Sequence, residues 1–422
     1  MIRNYLRIAV RKISRNKSYT AINITGLSVG IAACLLIFLI VQFELSFDNS
    51  HSKKGRIFRL VTVSQSSDGS SYTQGVPFPV ADGLRSEYPQ LEKTTSIYKD
   101  GDALIYVLDN NKVEKKFKEE KGIFYLEPQF FDIFDLKWLA GNPKTALSGP
   151  NDMVLSRETA AKYFGSWEKA LGRYIKYNND HIYKISGILE DVPDNNSYQI
   201  KVALSFESYR ESNQSNFKDW ASTYSNYNCI VLLPGNMQAA QLNNFANELL
   251  RKHKPEEYNS KDVMISQPLS EIHFDSRFNG GAFSKELITS LSLIAVFLLL
   301  IACVNFINLA TAQSVNRSRE IGVRKVLGSN KRQIITQFLG ETAVITISAV
   351  LAGIVLAEIS LPFINNLLQL NLDISFINNP SLIVFLAAVT VLVIFLSGFY
   401  PALMLSSINP VLAFKNKFSK FS

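Results

Sequence analysis

Cysteine and histidine are too few and too scattered here to build a metal centre or a disulfide framework. Of three cysteines in 422 residues, Cys34 and Cys303 fall in apolar runs, and Cys229 stands alone in the polar stretch between them. That stretch must therefore rest on its own core rather than on an internal disulfide. His51, His181, His253 and His273 are dispersed, and none stands at metal-ligand spacing from another His or Cys. The pattern G-x-x-x-x-G-K-[ST] is missing, which excludes nucleotide hydrolysis by that route within these residues. There is no nucleophile-and-base constellation either, so the expectation is a non-catalytic chain with no cofactor and no metal. Buried carboxylates of the kind an ion-coupled carrier keeps near the bilayer midplane are also lacking; Asn305 and Asn308 are the strongly polar pair at depth.

Charge of one sign is absent from particular segments, and that absence orients the chain. The first 19 residues carry Arg3, Arg7, Arg11, Lys12, Arg15 and Lys17 and no acid, whereas "PFINNLLQLNLDISFINNP" has no Lys or Arg at all. Four apolar runs, about 20–43, 287–312, 342–361 and 381–404, are each long enough for a membrane helix, which needs ~20 residues. The positive-inside rule then gives one consistent topology. Residues 1–19 form a cytosolic amphipathic helix, with Ile2, Tyr5, Leu6, Ala9 and Ile13 on its apolar face, and 20–45 the first span. Residues 46–284 lie outside, 285–313 form the second span with a stalk, and 314–340 are cytosolic. The third span follows at 341–361, a short outer loop at 362–380, the fourth span at 381–404 and a cytosolic tail at 405–422. The net charge of +8 is a consequence of this topology: residues 46–285 hold 29 basic and 30 acidic side chains, so no nucleic-acid partner is indicated.

"IAAC" at 31–34 fits the pattern before a lipidated cysteine, but the apolar run continues through "LLIFLIVQF", so the first span reads as an uncleaved signal anchor. Within it Gly26 and Gly30 stand four apart on one helix face, a spacing that lets two membrane helices approach closely. The expected contact is a seam between two four-span units, formed by their first and second spans.

The outer segment reads as α+β, with two subdomains expected from its size. "ALIYVLDNNKVEKKFK" and "RYIKYNNDHIYKISGILEDV" each read as two strands around a turn, at Asp109–Asn111 and Asn178–Asp180. "SRETAAKYFG" has a Ser156 cap, helical spacing of Ala160, Ala161 and Phe164, and Gly165 as its stop, and "NMQAAQLNNFANELLRKH" is a second helix.

The cytosolic stretch "VNRSREIGVRKVLGSNKRQIITQFLGE" predicts a short helix from about Asn316 to Leu327, a break at Gly328, and a second start at Ser329 or Asn330 with Gln333 at capping-box spacing. Ile321, Val323, Val326 and Leu327 can then face the membrane or a partner while Arg319, Glu320, Arg324 and Lys325 stay accessible. This stretch resembles the cytosolic signature of MacB/FtsX-type ABC transporter permeases, also called type VII or mechanotransmission permeases, and the chain looks Bacteroidota-like among them. "NITGLSVGIA", "FFDIFDLKWLAGNP", "VLSRETAAKYFG", "QPLSEIHF" and "YPALMLSSINPVLAFK" extend the resemblance over nearly the whole chain. It implies an α-helical protein of the bacterial inner membrane, with four transmembrane helices and a periplasmic core domain between the first and second. It further implies a separate cytosolic ABC ATPase that couples through Arg319, Glu320, Gly322, Arg324, Lys325 and Gly328. Other implied partners are a second permease half (homodimer, heterodimer or tandem repeat), membrane lipid, and periplasmic or outer-membrane components. Export or extraction of a lipoprotein, peptide, antibiotic or lipid is the implied function. A membrane-anchored regulator of an extracytoplasmic enzyme, such as a cell-wall hydrolase, is the alternative.

Overall fold

In the computed structural model the described residues are 17–407, apart from 68, 110–111, 179–180, 255–260, 280–282 and 378; the side chains of 66, 109 and 314–319 are also outside the description. The amphipathic helix expected at 2–13 and the tail beyond 407 therefore lie outside it. The chain divides into two units, Met1–Leu45 with Glu286–Ser422, and Ser46–Lys285.

Four helices of the first unit are long and apolar enough to cross a membrane: Lys17–Leu45, Lys285–Gln313, Lys331–Leu368 and Pro380–Ser407. The first packs along the third, and the third along the fourth. Small residues set these approaches. A Cβ added at Gly353 would lie 3.1 Å from the Ser28 carbonyl oxygen and 3.2 Å from Ile31 Cγ2, so the third helix approaches the first closely where it carries no side chain. At the outer end, Gln42 of the first helix exchanges amide hydrogen bonds with Asn379 at 3.0 and 2.8 Å, just before the fourth helix begins with Pro380 at its first position.

Two sequence expectations change here. The second span does not end before a separate cytosolic helix: a single helix runs from Lys285 to Val326, because no glycine or proline interrupts residues 313–321. The third helix likewise continues through Pro362 to Leu368, seven residues into the expected outer loop. At ~1.5 Å per residue its 38 residues span ~57 Å, longer than a straight crossing of a ~30 Å hydrocarbon core requires.

In the second unit the described strands are β1 (Ile57–Ser66), β2 (Gly69–Thr73), β3 (Lys93–Lys99), β4 (Ala103–Asp109), β5 (Lys112–Glu119), β6 (Ile123–Leu126), β7 (Trp138–Ala140), β8 (Asp152–Ser156), β9 (Tyr174–Tyr177), β10 (His181–Leu189), β11 (Val202–Ser205), β12 (Tyr227–Leu232) and β13 (Lys261–Pro268). They join one sheet in the order β13-β1-β12-β3-β6-β11-β8-β10-β9-β4-β5, with β2 on β1 and β7 on β10. The β6–β11 and β8–β10 pairs are parallel. Both faces of the central strands are covered. Tyr227, Cys229 and Val231 of β12 enter one apolar cluster and Ile230 and Leu232 the other, and β8 and β11 divide their residues the same way. The described strands of this unit thus share a single hydrogen-bonded sheet path. The hairpins β4–β5 and β9–β10 form where the sequence placed them. The Arg157–Phe164 helix has its Ser156 cap on the Thr159 N–H and a left-handed Gly165 at φ +82°, with Thr159, Ala160 and Tyr163 buried and Phe164 packed, partly buried, against the same core.

Candidate functional site: an elbow between the second and third helices

The turn after Val326 is a Schellman motif. The Gly328 N–H bonds the Lys325 carbonyl at 3.1 Å and the Ser329 N–H bonds the Arg324 carbonyl at 3.0 Å, with Gly328 at φ +97°, where a Cβ would be strained. Two residues later the Lys331–Leu368 helix starts under the expected capping box, in which the Asn330 N–H bonds Gln333 Oε1 at 3.0 Å and the Asn330 side chain accepts the Gln333 N–H. Both helix ends are thereby satisfied within four residues, and the chain reverses sharply.

The charged residues at this elbow are braces. Arg324 Nη2 donates to Glu320 Oε1 at 2.6 Å on its own helix, and Arg324 Nη1 donates to Gln337 Oε1 at 2.5 Å on the next. Gln337 Nε2 in turn donates to Glu341 Oε1 at 3.1 Å. Lys325 Nζ donates to the Ser406 carbonyl at 2.7 Å in the last turn of the fourth helix, where an unsatisfied carbonyl and the negative end of the helix dipole favour a cation. The free accessibility expected for Arg324 and Lys325 is thus corrected, since each is half-buried and ties its helix to another. Ile321 and Gly322 also turn inward; Ile321 lines a small open cleft of about 30 Å³ with Ile334, Phe338, Leu405 and the polar braces. What projects is apolar: Val323, Val326 and Leu327 are 45%, 70% and 80% exposed, next to the exposed Lys331 and Arg332. The Arg319 side chain lies outside the described residues.

Gly26 and Gly30 have neighbours within their own chain. A Cβ at Gly30 would come within 2.8 Å of Ala302 Cβ, and one at Gly26 within 3.5 Å of Asn305 Nδ2, both on the second helix. The seam expected between two copies is therefore an intrachain contact at these two positions. Sequence reasoning missed Gln337 and the Ser406 carbonyl; the only local signal was a polar residue at a helical spacing of four before Glu341.

A second polar knot holds the chain entering the outer unit. Asp48, in the left-handed region at φ +56°, accepts the Ser197 N–H at 2.9 Å and the Ser197 hydroxyl at 2.5 Å. His51 Nδ1 accepts the Asp135 N–H at 3.2 Å, and its Nε2 lies 2.8 Å from Asn196 Nδ2. Both residues are almost fully buried. Burial raises the Asp48 carboxyl above its usual range against the pull of the Ser197 donors, and burial lowers the His51 imidazole against the fields of Asp48 and Asp135.

The family model for the MacB-like periplasmic core domain matches residues 20–245, and that for the FtsX-like permease C-terminal region matches 292–410. The chain is 22% identical to the ABC transporter permease YknZ of Bacillus subtilis over 361 residues, covering 83% of this chain and 84% of that protein. It is 20% identical over 425 residues to the macrolide export ATP-binding/permease protein MacB of Acinetobacter baylyi, covering 96% of this chain but 58% of that protein's length. A crystal structure of a domain of a protein described as a permease from Porphyromonas gingivalis aligns at 21% identity with a TM-score of 0.44, over 52% of this chain and 91% of that domain.

Proposed function

The chain belongs to the MacB-like periplasmic core domain family, with an FtsX-like permease region in its later spans, and from that premise we propose that this ABC transporter permease passes the work of a separate cytosolic ATPase through its elbow to the outer domain. The observation that carries the reading is the elbow's construction. Arg324 and Lys325 tie the second helix to the third and the fourth, while Val323, Val326 and Leu327 are left exposed as an apolar tip. A push on that tip reaches three helices at once. The second helix is continuous from Lys285 to Val326, so displacement at one end is carried along an unbroken rod. A relative's name, ATP-binding/permease protein MacB, joins the two activities in one protein. In this reading the ATPase docks from outside the 422 residues, which contain no Walker pattern.

A second permease half completes the transporter. Asn308 is exposed on the second helix, and an uncovered amide facing hydrocarbon is costly, so that face supports packing against another copy or a tandem half. In this reading the four helices span the bacterial inner membrane, the outer domain lies on its extracytoplasmic side, and the work drives export or extraction of a lipoprotein, peptide, antibiotic or lipid.

Mild-detergent purification of the full chain followed by mass identification of stoichiometric partners tests this. A Walker-motif ATPase recovered in constant ratio is the expected result. Stoichiometric recovery of a cell-wall hydrolase or kinase without an ATPase would overturn it in favour of the regulator.

A further inference from the structure

Residues 46–285 are almost neutral, with 29 basic and 30 acidic side chains, yet one cavity among them is lined by cations and by no carboxylate among the described residues. It holds about 350 Å³, within the ~300–1,000 Å³ of small-molecule sites. Arg59 on β1 contributes from its wall and is 3% exposed. Its Nε and Nη2 donate to Gln267 Oε1 at 3.1 and 2.7 Å, and its Nη1 to Gln74 Oε1 at 3.2 Å. These amide acceptors orient the guanidinium without carrying a formal charge that would cancel it. Asp275, which does not line the cavity, interacts with Arg59 and offsets part of its positive field. Lys99 and Lys121 also line the space and are exposed.

The polar walls are already held in place. Tyr198 Oη lies 3.4 Å from Asn228 Oδ1, Asn228 Nδ2 donates to the Gln74 carbonyl at 3.2 Å, and the Tyr198 N–H bonds Asn196 Oδ1 at 3.0 Å. His273 stacks flat on Phe47 with ring centroids 3.4 Å apart, giving the cavity one apolar side. A fixed, hydrogen-bonding concavity with a net positive field suits a compact anion carrying polar substituents.

We propose that this cavity binds a phosphate-bearing polar group, with Lys99 and Lys121 meeting its anionic oxygens above the field of Arg59. The phosphate can belong to a soluble metabolite or to a lipid headgroup. Asn196 and Ser197 line the same space and also bond His51 and Asp48, so the occupant touches the loop that fixes the chain leaving the first span. The proposal does not rest on ATPase coupling.

The test uses the full chain in dodecyl maltoside, with sn-glycerol 3-phosphate titrated calorimetrically in one arm and phosphatidylglycerol added in the other, its retention read by native mass spectrometry. Wild type should show saturable one-to-one binding in at least one arm, weakened by added salt. Loss in Lys99→Ala/Lys121→Ala by about tenfold or more, with Lys116→Ala/Lys176→Ala unchanged, is the expected result. Binding in the first arm identifies a soluble phosphate, and binding confined to the second a lipid headgroup. Arg59→Gln should lose binding too, but because Arg59 is buried and can matter for folding, the exposed lysine pair decides. Absence of saturable binding in both arms at ~5 mM, or equal binding by wild type and the Lys99/Lys121 variant, overturns the proposal.

Discussion

The elbow at 320–341 and the neck at 46–52 both fix a chain segment with a carboxylate and a basic side chain, but they do so in opposite surroundings. At the elbow the Glu320 and Arg324 side chains are 47% and 35% exposed. At the neck Asp48 and His51 are 1% and 2% exposed, and their partners are largely backbone N–H groups and small side chains. An exposed i,i+4 pair contributes only ~0.3–0.5 kcal/mol, whereas a buried carboxylate that satisfies two donors cannot be removed without stranding them, at ~1–3 kcal/mol each. The elbow's polar braces can exchange partners at low cost, and the neck's cannot. Such an arrangement suits a joint that is driven and an anchor that must carry the load.

The largest effect should come from breaking the neck. Asp48→Ala strands the Ser197 N–H and hydroxyl and puts alanine at φ +56°, so full-chain unfolding should lose about 3 kcal/mol or more. Asp48→Asn, which tolerates that φ and still offers an acceptor, should recover most of it. Equal melting of the two variants would mean that the carboxylate's hydrogen bonds do not hold the neck.

Gly328→Ala comes next, at about 1–2 kcal/mol, because alanine must adopt φ +97° to keep the Schellman turn. The cost should be local. Hydrogen exchange should accelerate over residues 324–333 while β8 to β12 stay protected, and an unchanged exchange rate at the turn would contradict the strain argument.

A smaller effect belongs to pH. The folded pKa of His51 is lowered by burial, so its contribution is present above the ordinary imidazole value of ~6.5 and is lost as pH falls toward the lowered folded value. Protection of residues 46–52, taken relative to the base-catalysed intrinsic exchange rate at each pH, should therefore be lower at pH 5.5 than at pH 7.5, and His51→Gln should remove that part of the difference. Asp48, whose pKa is raised, acts in the opposite sense as pH falls, so the comparison with His51→Gln is what isolates the imidazole. Glu320→Gln should have the least effect, ~0.5 kcal/mol or less, and leave the melting temperature essentially unchanged; a shift of several degrees would show the elbow to be as rigid as the neck.

What could be read ahead of the structure was mostly local. Ser156 and Gly165 bound a helix through contacts within four residues, and Asn330 with Gln333 start another in the same way. Gly328 declared its turn because few other residues accept its φ. Contacts distant in sequence stayed hidden: Ser197 lies 149 residues from Asp48, and Ser406 lies 81 from Lys325. No local pattern says that Lys325 will find the carbonyl end of the fourth helix rather than solvent. The basic signature was legible as helical with Val323, Val326 and Leu327 outward, but the inward turn of Ile321 and the ties of Arg324 and Lys325 to other helices were not. Gly30 was legible as a packing residue, and its partner Ala302 was not.

The central claim is that the elbow's apolar tip receives the ATPase while its charges hold the helices together. The direct measurement is ATPase binding and permease-stimulated turnover in reconstituted membranes for wild type and Val326→Asp/Leu327→Asp. Both residues are more than two-thirds exposed, so their change should leave folding and insertion intact. The account predicts that binding falls at least about tenfold and stimulation is lost, because two charges would be buried unpaired at the interface. Normal binding and normal stimulation in a correctly inserted double variant would contradict it.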